Sequence, residues 1–275
     1  MSADAANLVR RSAYACLIWL AWASSCAVLA VGAQEMRGWL WQNPLPQGNA
    51  IQAVRFAADK RHGWAVGADG VILRTDDGGF SWEAQKSQAL TTLYGLYVKD
   101  KNTAVVVGSR GNVLMTTNGG DRWERRETGL QDHLYSVAFT PDATHGWAVG
   151  TYGSVVATKD GGKSWSVQKS GGREHLYSVS FADARTGVAV GERGTLLVTQ
   201  DGGASWERRE TAAGETYLTS VAFAGTSRMA VVVGYGGLIL RTEDGGGTWK
   251  RIETLTRGDL LSVFFTDEQH GWAAG

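Results

Sequence analysis

The sequence predicts an all-β protein, a β-propeller built of four-stranded antiparallel blades of about 42 residues each. Three observations carry this reading. A tryptophan returns at Trp82, Trp123, Trp165, Trp206 and Trp249, with spacings of 41, 42, 41 and 43 residues. Each is preceded by Thr-x-Asp-x-Gly-x-Ser/Thr, from Thr75, Thr158, Thr199 and Thr242, with a degraded copy from Thr116. The 37 Gly, 12 Trp and only 3 Pro suit many short strands joined by tight turns and anchored by large apolar side chains.

Taken in order, residues 1–11 precede an uncharged run at 12–34 that contains Leu17, Ile18, Trp19, Leu20, Trp22, Val28, Leu29 and Val31. As a helix this run would be about 34 Å long, enough for a hydrocarbon core of roughly 30 Å. Arg10 and Arg11 before it place the N-terminus in the cytoplasm and the repeats across the membrane, in the periplasm or its equivalent. The run is either a transmembrane anchor or a signal peptide cut after Val31-Gly32-Ala33. Both cysteines, Cys16 and Cys26, lie inside it, so the exported part carries no disulfide, thiol nucleophile or Cys-ligated metal.

Residues 35–50 read as a linker and a closing outer strand, and 51–275 as the propeller. One complete unit shows the strands: Leu134–Phe139, Gly146–Gly150, Ser154–Thr158 and Ser164–Gln168. First strands end on Phe56, Val98, Phe139, Phe181, Phe223 and Phe265, and second strands on Gly67, Gly108, Gly150, Gly191, Gly234 and Gly275. Trp41 stands where a fourth-strand tryptophan would precede the first blade, so it is expected to seal the ring and remove exposed edges. With five full blades and a sixth of two strands, the pattern predicts a six- or seven-blade ring truncated at its C-terminus.

The recurrent box falls between third and fourth strands, where a hairpin reverses. Asp accepts backbone N–H groups, Gly supplies positive φ, and the hydroxyl closes the turn. Asp77, Asp160, Asp201 and Asp244, with Asn118 in the degraded copy, therefore read as turn formers, and Trp82, Trp123, Trp165, Trp206 and Trp249 as packing anchors. The competing reading makes the aspartates acids or calcium ligands. Repeat-equivalent positions lie in separate blades, whereas a metal or an acid/base pair needs convergence within a few ångströms. The same argument makes turn positions of His62, His145 and His270, each before Gly-Trp, and of His133 and His175, each before Leu-Tyr. No catalytic, cofactor-binding or metal-binding residue is assigned. Mixed Arg/Glu fourth strands such as Trp123 to Thr128 solubilise an outer edge or form a rim for a partner. Arg74 and Arg241 end third strands where other blades carry Met115, Ala157 and Val198, and are the candidate partner-binding residues.

The 27 basic and 27 acidic residues balance, which argues against a nucleic-acid partner. The boxes match the Asp-box (BNR) repeat. Gly-Trp-Ala-Val-Gly followed by Thr-x-Asp-Gly-Gly-x-Ser-Trp, across about residues 38 to 275, resembles the photosystem II stability/assembly factor family. That resemblance implies a non-enzymatic, extracytoplasmic propeller without cofactor, whose partner is a membrane protein complex or its assembly intermediates and which meets the membrane through its N-terminal segment. The alternatives are a sialidase-like Asp-box glycosidase and a glycan-binding propeller. The first lacks a Phe/Tyr-Arg-Ile-Pro segment and long loop insertions.

Overall fold

The computed structural model describes residues 48–225 and 228–275. The apolar run at 12–34 with Cys16 and Cys26, and the expected closing strand at Trp41, lie outside the described residues. Among the described residues no helix is long and apolar enough to cross a membrane.

The chain is an all-β propeller whose sheets are simple antiparallel meanders. Blade one consists of β1 (Ile51–Phe56), β2 (Gly63–Gly67), β3 (Ile72–Thr75) and β4 (Glu83–Gln85). Blade two is β5 (Leu93–Val98), β6 (Ala104–Gly108), β7 (Val113–Thr116) and β8 (Glu124–Arg126); blade three β9 (Leu134–Phe139), β10 (Gly146–Gly150), β11 (Ser154–Thr158) and β12 (Ser166–Lys169); blade four β13 (Leu176–Phe181), β14 (Gly187–Gly191), β15 (Leu196–Thr199) and β16 (Glu207–Arg208); and blade five β17 (Leu218–Phe223), β18 (Ala230–Gly234), β19 (Ile239–Thr242) and β20 (Lys250–Ile252). A sixth sheet holds β21 (Ser262–Phe265) and β22 (Gly271–Ala274). The first strands β1, β5, β9, β13, β17 and β21 stand side by side in that order, so they face the propeller axis.

Every residue of the second strands β2, β6, β10 and β14 is buried, which explains why they read as unbroken apolar runs: neighbouring blades cover both faces. Their closing glycine is required by a close approach. A Cβ on Gly67 would fall 2.1 Å from the Ala50 carbonyl oxygen, and one on Gly191 would fall 1.9 Å from that of His175. The same carbonyls accept the N–H of the following residue, Ala68 and Glu192, at 2.9 and 3.0 Å. A short 3-10 turn follows in blades one, two and three, with Asp69, Arg110 and Tyr152 at positive φ, and a plain turn in blade four holds Arg193 likewise.

Adjacent blades trade side-chain volume across each joint. Trp147 is 2% exposed and faces Ala157 on the next strand, while the equivalent Val105 faces Met115 and Val188 faces Val198. The Trp147 ring stacks on Phe181 of blade four at 3.5 Å and donates its N–H to the Gly202 carbonyl at 2.9 Å. Nearer the axis, hydroxyls staple the inner strands. Ser136 accepts the Val179 N–H, Ser178 the Val221 N–H and Ser220 the Val263 N–H, at 3.4, 3.1 and 3.2 Å. Gly95 occupies this place in blade two, where a Cβ would meet the Tyr135 carbonyl at 2.9 Å.

Candidate partner-docking site

Each Asp box is a closed hydrogen-bonded loop. In blade three Thr158 Oγ1 donates to Asp160 Oδ1 at 2.7 Å and accepts the Gly162 N–H at 2.9 Å; Asp160 Oδ1 also accepts the Ser164 N–H at 2.9 Å. Trp165 then returns its indole N–H to the Gly162 carbonyl at 3.1 Å. Asp77, Asp201 and Asp244 repeat the pattern with Ser81, Ser205 and Thr248. The Ser164 and Ser205 hydroxyls are the chief reason that Asp160 and Asp201 are held down to about 2. Asn118 keeps the acceptor role toward Thr116 and the Arg122 N–H at 2.9 and 3.1 Å. The fourth strand of blade three begins at Ser166 rather than at the expected Ser164, because Asp160 still holds Ser164 within the turn.

Arg74 and Arg241 occupy equivalent positions with different surroundings. Arg74 lies over the Trp64 ring at 5.6 Å, pairs with Asp76 at 2.8 Å and reaches the Gly119 carbonyl of blade two. Opposite Arg241 the second strand offers Val231 instead of a tryptophan, and no ring among the described residues covers the guanidinium. Arg241 is 47% exposed, pairs with Glu243 at 2.9 Å and lines a cavity of about 230 Å³ with Asp244, Thr248 and Lys250.

The histidines also divide by location. His62 and His270 bond aspartates within their own turns, Asp59 and Asp267. His133 and His175 instead accept, through Nδ1, the N–H of Arg110 and Tyr152 from the preceding blade, at 3.3 and 3.0 Å. No group of three or more His, Cys, Asp or Glu that could hold a metal occurs among the described residues.

The sequence reading did not single out the aromatic residues that begin the first strands. At one end of the axis Tyr94, Tyr135, Tyr177, Tyr217 and Tyr235 form a continuous run, with successive ring centroids 5.2, 5.9, 6.3 and 5.3 Å apart. Tyr152, 66% exposed, packs beside it on His175 at 5.0 Å. Burial raises the Tyr177 phenol to about 12, with the Glu192 carboxylate adding to the shift; burial, then neighbours including Glu192, raises Tyr135 as well. The signal was present as Leu-Tyr at 93–94, 134–135 and 176–177 and as Tyr-Leu at 217–218. On the other side of the first strands a cleft of about 450 Å³ separates Val54, Arg55 and Phe56 from Phe264 and Phe265. Crowding by these walls lowers the Arg55 guanidinium below its usual range although water still reaches it.

Comparison with known proteins places this geometry. The family model described as photosynthesis system II assembly factor YCF48 matches residues 33–126, 122–176 and 168–260. The chain is 42% identical over 62 residues to the chloroplastic photosystem II stability/assembly factor HCF136 of Cyanidioschyzon merolae (strain NIES-3377 / 10D). That match covers 22% of this chain and 14% of the relative's length. Among solved structures, YCF48 bound to D1 peptide is 18% identical with a TM-score of 0.54, covering 84% of this chain and 90% of that one. YCF48 from Cyanidioschyzon merolae is 21% identical with a TM-score of 0.53, covering 84% and 94%. An ancestral GH74 enzyme reaches a TM-score of 0.67 at 16% identity, over 84% of this chain and 35% of its own. At these identities the structural likenesses speak for the fold.

Proposed function

Because the chain belongs to the family of the photosynthesis system II assembly factor YCF48, we propose that it is a non-catalytic scaffold that docks on a membrane protein subunit or on an assembly intermediate of its complex. The observation that carries this reading is the family match, which runs from residue 33 to 260 and so spans nearly all the blades. A related propeller of the same name has been solved with a D1 peptide, which supports a polypeptide as the class of partner. The propeller works outside the cytoplasmic membrane, held there by the apolar run at 12–34 or released after its removal. Arg241, half-exposed at the mouth of its cavity, adds a contact on the outer side, while Arg74 is committed chiefly to the joint between blades one and two.

Affinity capture of the full chain from detergent extracts tests the scaffold function. A multisubunit integral membrane complex is the expected co-purified species, and recovery of the protein alone under conditions that preserve complexes overturns it. The four Asp-box aspartates are each spent on their own turns, which supports the non-catalytic reading. Turnover of xyloglucan or a fluorogenic sialoside by the purified protein would count against it.

A further inference from the structure

The aromatic run combines three properties that suit it to a ligand. First, it crosses four blades, from Tyr94 in blade two to Tyr217 and Tyr235 in blade five, with ring spacings of 5.2 to 6.3 Å. Side chains on one face of an extended polypeptide recur at about 6.6 to 6.8 Å, close to this interval. Second, Tyr94 meets the Ser109 hydroxyl at 3.4 Å, whereas the phenols of Tyr135, Tyr177 and Tyr217 make no hydrogen bond among the described residues. They are free to donate to carbonyl oxygens of such a segment.

Third, a carboxylate accompanies the rings. Glu192 follows the closing glycine of blade four's second strand, the position that Ser109 holds in blade two, where it touches Tyr94. Its backbone N–H bonds the His175 carbonyl at 3.0 Å, which fixes it beside the start of β13 (Leu176–Phe181) and hence beside Tyr177. Of the other acids of this end, Asp132 accepts the Ser154 hydroxyl and Asp259 the Gly236 N–H, while Asp69 stands in blade one, outside the run of rings. The adjoining Arg193 is turned to Glu215 at 3.6 Å, and Arg110 stands across the run beside His133. The Glu192 side chain has no hydrogen bond or ion pair among the described residues. A negative charge set beside electron-rich ring faces is a receptor for a cation, since a cation within about 6 Å of a ring centroid is attracted to its face. Tyr135 and Tyr177 lie 5.9 Å apart, so one cation can lie within reach of both.

We propose that this aromatic mouth is the docking site for a basic, extended polypeptide segment, with a lysine or arginine side chain seated between Tyr135 and Tyr177 and its charge met by the Glu192 carboxylate. The proposal rests on the scaffold reading and adds to it the place and the chemistry of the contact. A partner segment with basic residues at alternate positions satisfies the rings, the carboxylate and the phenols together.

Fluorescence anisotropy of a fluorescein-labelled nonapeptide of alternating Lys and Gly tests this, with the alternating Glu and Gly peptide as comparison. The Lys peptide is expected to bind saturably and the Glu peptide not at all. Glu192→Gln and Tyr177→Leu should each weaken binding roughly tenfold, Tyr177→Phe should weaken it less, and Arg55→Gln should leave it unchanged. Far-UV circular dichroism melts establish that each variant is folded. Equal binding of the two peptides, an unaltered Kd in folded Glu192→Gln, or displacement of the Lys peptide by cellohexaose would overturn the assignment. Peptide binding without recovery of a membrane complex in the capture experiment defeats the scaffold function alone. Capture that persists in the Glu192→Gln/Tyr177→Leu double variant defeats this site alone.

Discussion

Replacing Trp147 by valine, the residue that blades two, four and five carry at that position as Val105, Val188 and Val231, removes one of the largest fully buried side chains. The change gives up about 100 Å² of buried apolar surface, worth about 2.5 kcal/mol at 25 cal/mol/Å². Incomplete collapse around the missing ring adds about 2 kcal/mol. The lost indole hydrogen bond adds little, because Gln168 Nε2 still donates to the Gly202 carbonyl at 3.2 Å. A destabilisation of about 4 kcal/mol is therefore expected, which corresponds to a Tm lowered by roughly 8–16 °C for a domain of this size. Urea unfolding followed by far-UV circular dichroism measures it. The joint also specifies its own rescue: valine in blade two faces Met115, whereas Trp147 faces Ala157. Trp147→Val/Ala157→Met should recover about half the loss, since the facing pair then restores much of the volume. A single variant that loses less than about 1 kcal/mol, or a double variant no more stable than the single, would refute the reasoning that paired volumes set these joints.

Asp160→Asn should lower Tm by only a few degrees and clearly less than Asp160→Ala, because Asn118 already serves as the acceptor in blade two; thermal melts of the two variants decide it. Asp160 and Asp201 are depressed to about 2 in the folded protein, so their stabilisation is full above the unfolded carboxylate value near 4 and is lost as pH falls toward about 2. Urea midpoints should thus be flat with respect to these groups above about pH 5 and fall below it, a dependence that Asp160→Asn reduces. Ser178→Ala leaves the Val221 N–H without its acceptor at a buried joint, a cost of about 1–3 kcal/mol, and hydrogen exchange at the Val221 amide should quicken. A carbonate wash of membranes separates the two fates of residues 12–34: retention in the pellet is expected of an anchor, release of a processed protein.

The blades were legible because each unit repeats the same local chemistry: an Asp and a Gly that turn the chain, a Trp that packs, and a Gly whose absent side chain admits the neighbouring carbonyl. The start of the fourth strand was not, since only coordinates show that Ser164 remains tied to Asp160. Nor were the differing environments of Arg74 and Arg241, which depend on whether Trp64 or Val231 stands opposite. The aromatic mouth escaped for a more general reason. Repeat-equivalent residues on the rim are held apart by the blades, as the Asp boxes are, so copying argues for architecture. Near the axis the same repetition brings residues about 42 positions apart in the chain to within 6.3 Å, as at Tyr135, Tyr177 and Tyr217. Radius, which the sequence does not print, decides whether a repeated side chain is isolated or part of a cluster.

The serine staples give the array a direction. Each of blades three, four and five presents a hydroxyl that accepts and, one residue later in the next unit, an amide that donates, so these joints have a giving side and a receiving side. A duplicated unit inserted at such a joint meets a matching partner before and behind it, and the number of blades can change by whole repeats without orphaning a hydrogen bond. The joint after blade two, where Gly95 replaces the hydroxyl, lacks this staple; there the fit rests on bare backbone approach and on Tyr97 stacked upon Phe139 at 4.4 Å. Lengthening the protein by recombination is therefore least disruptive among blades three to six.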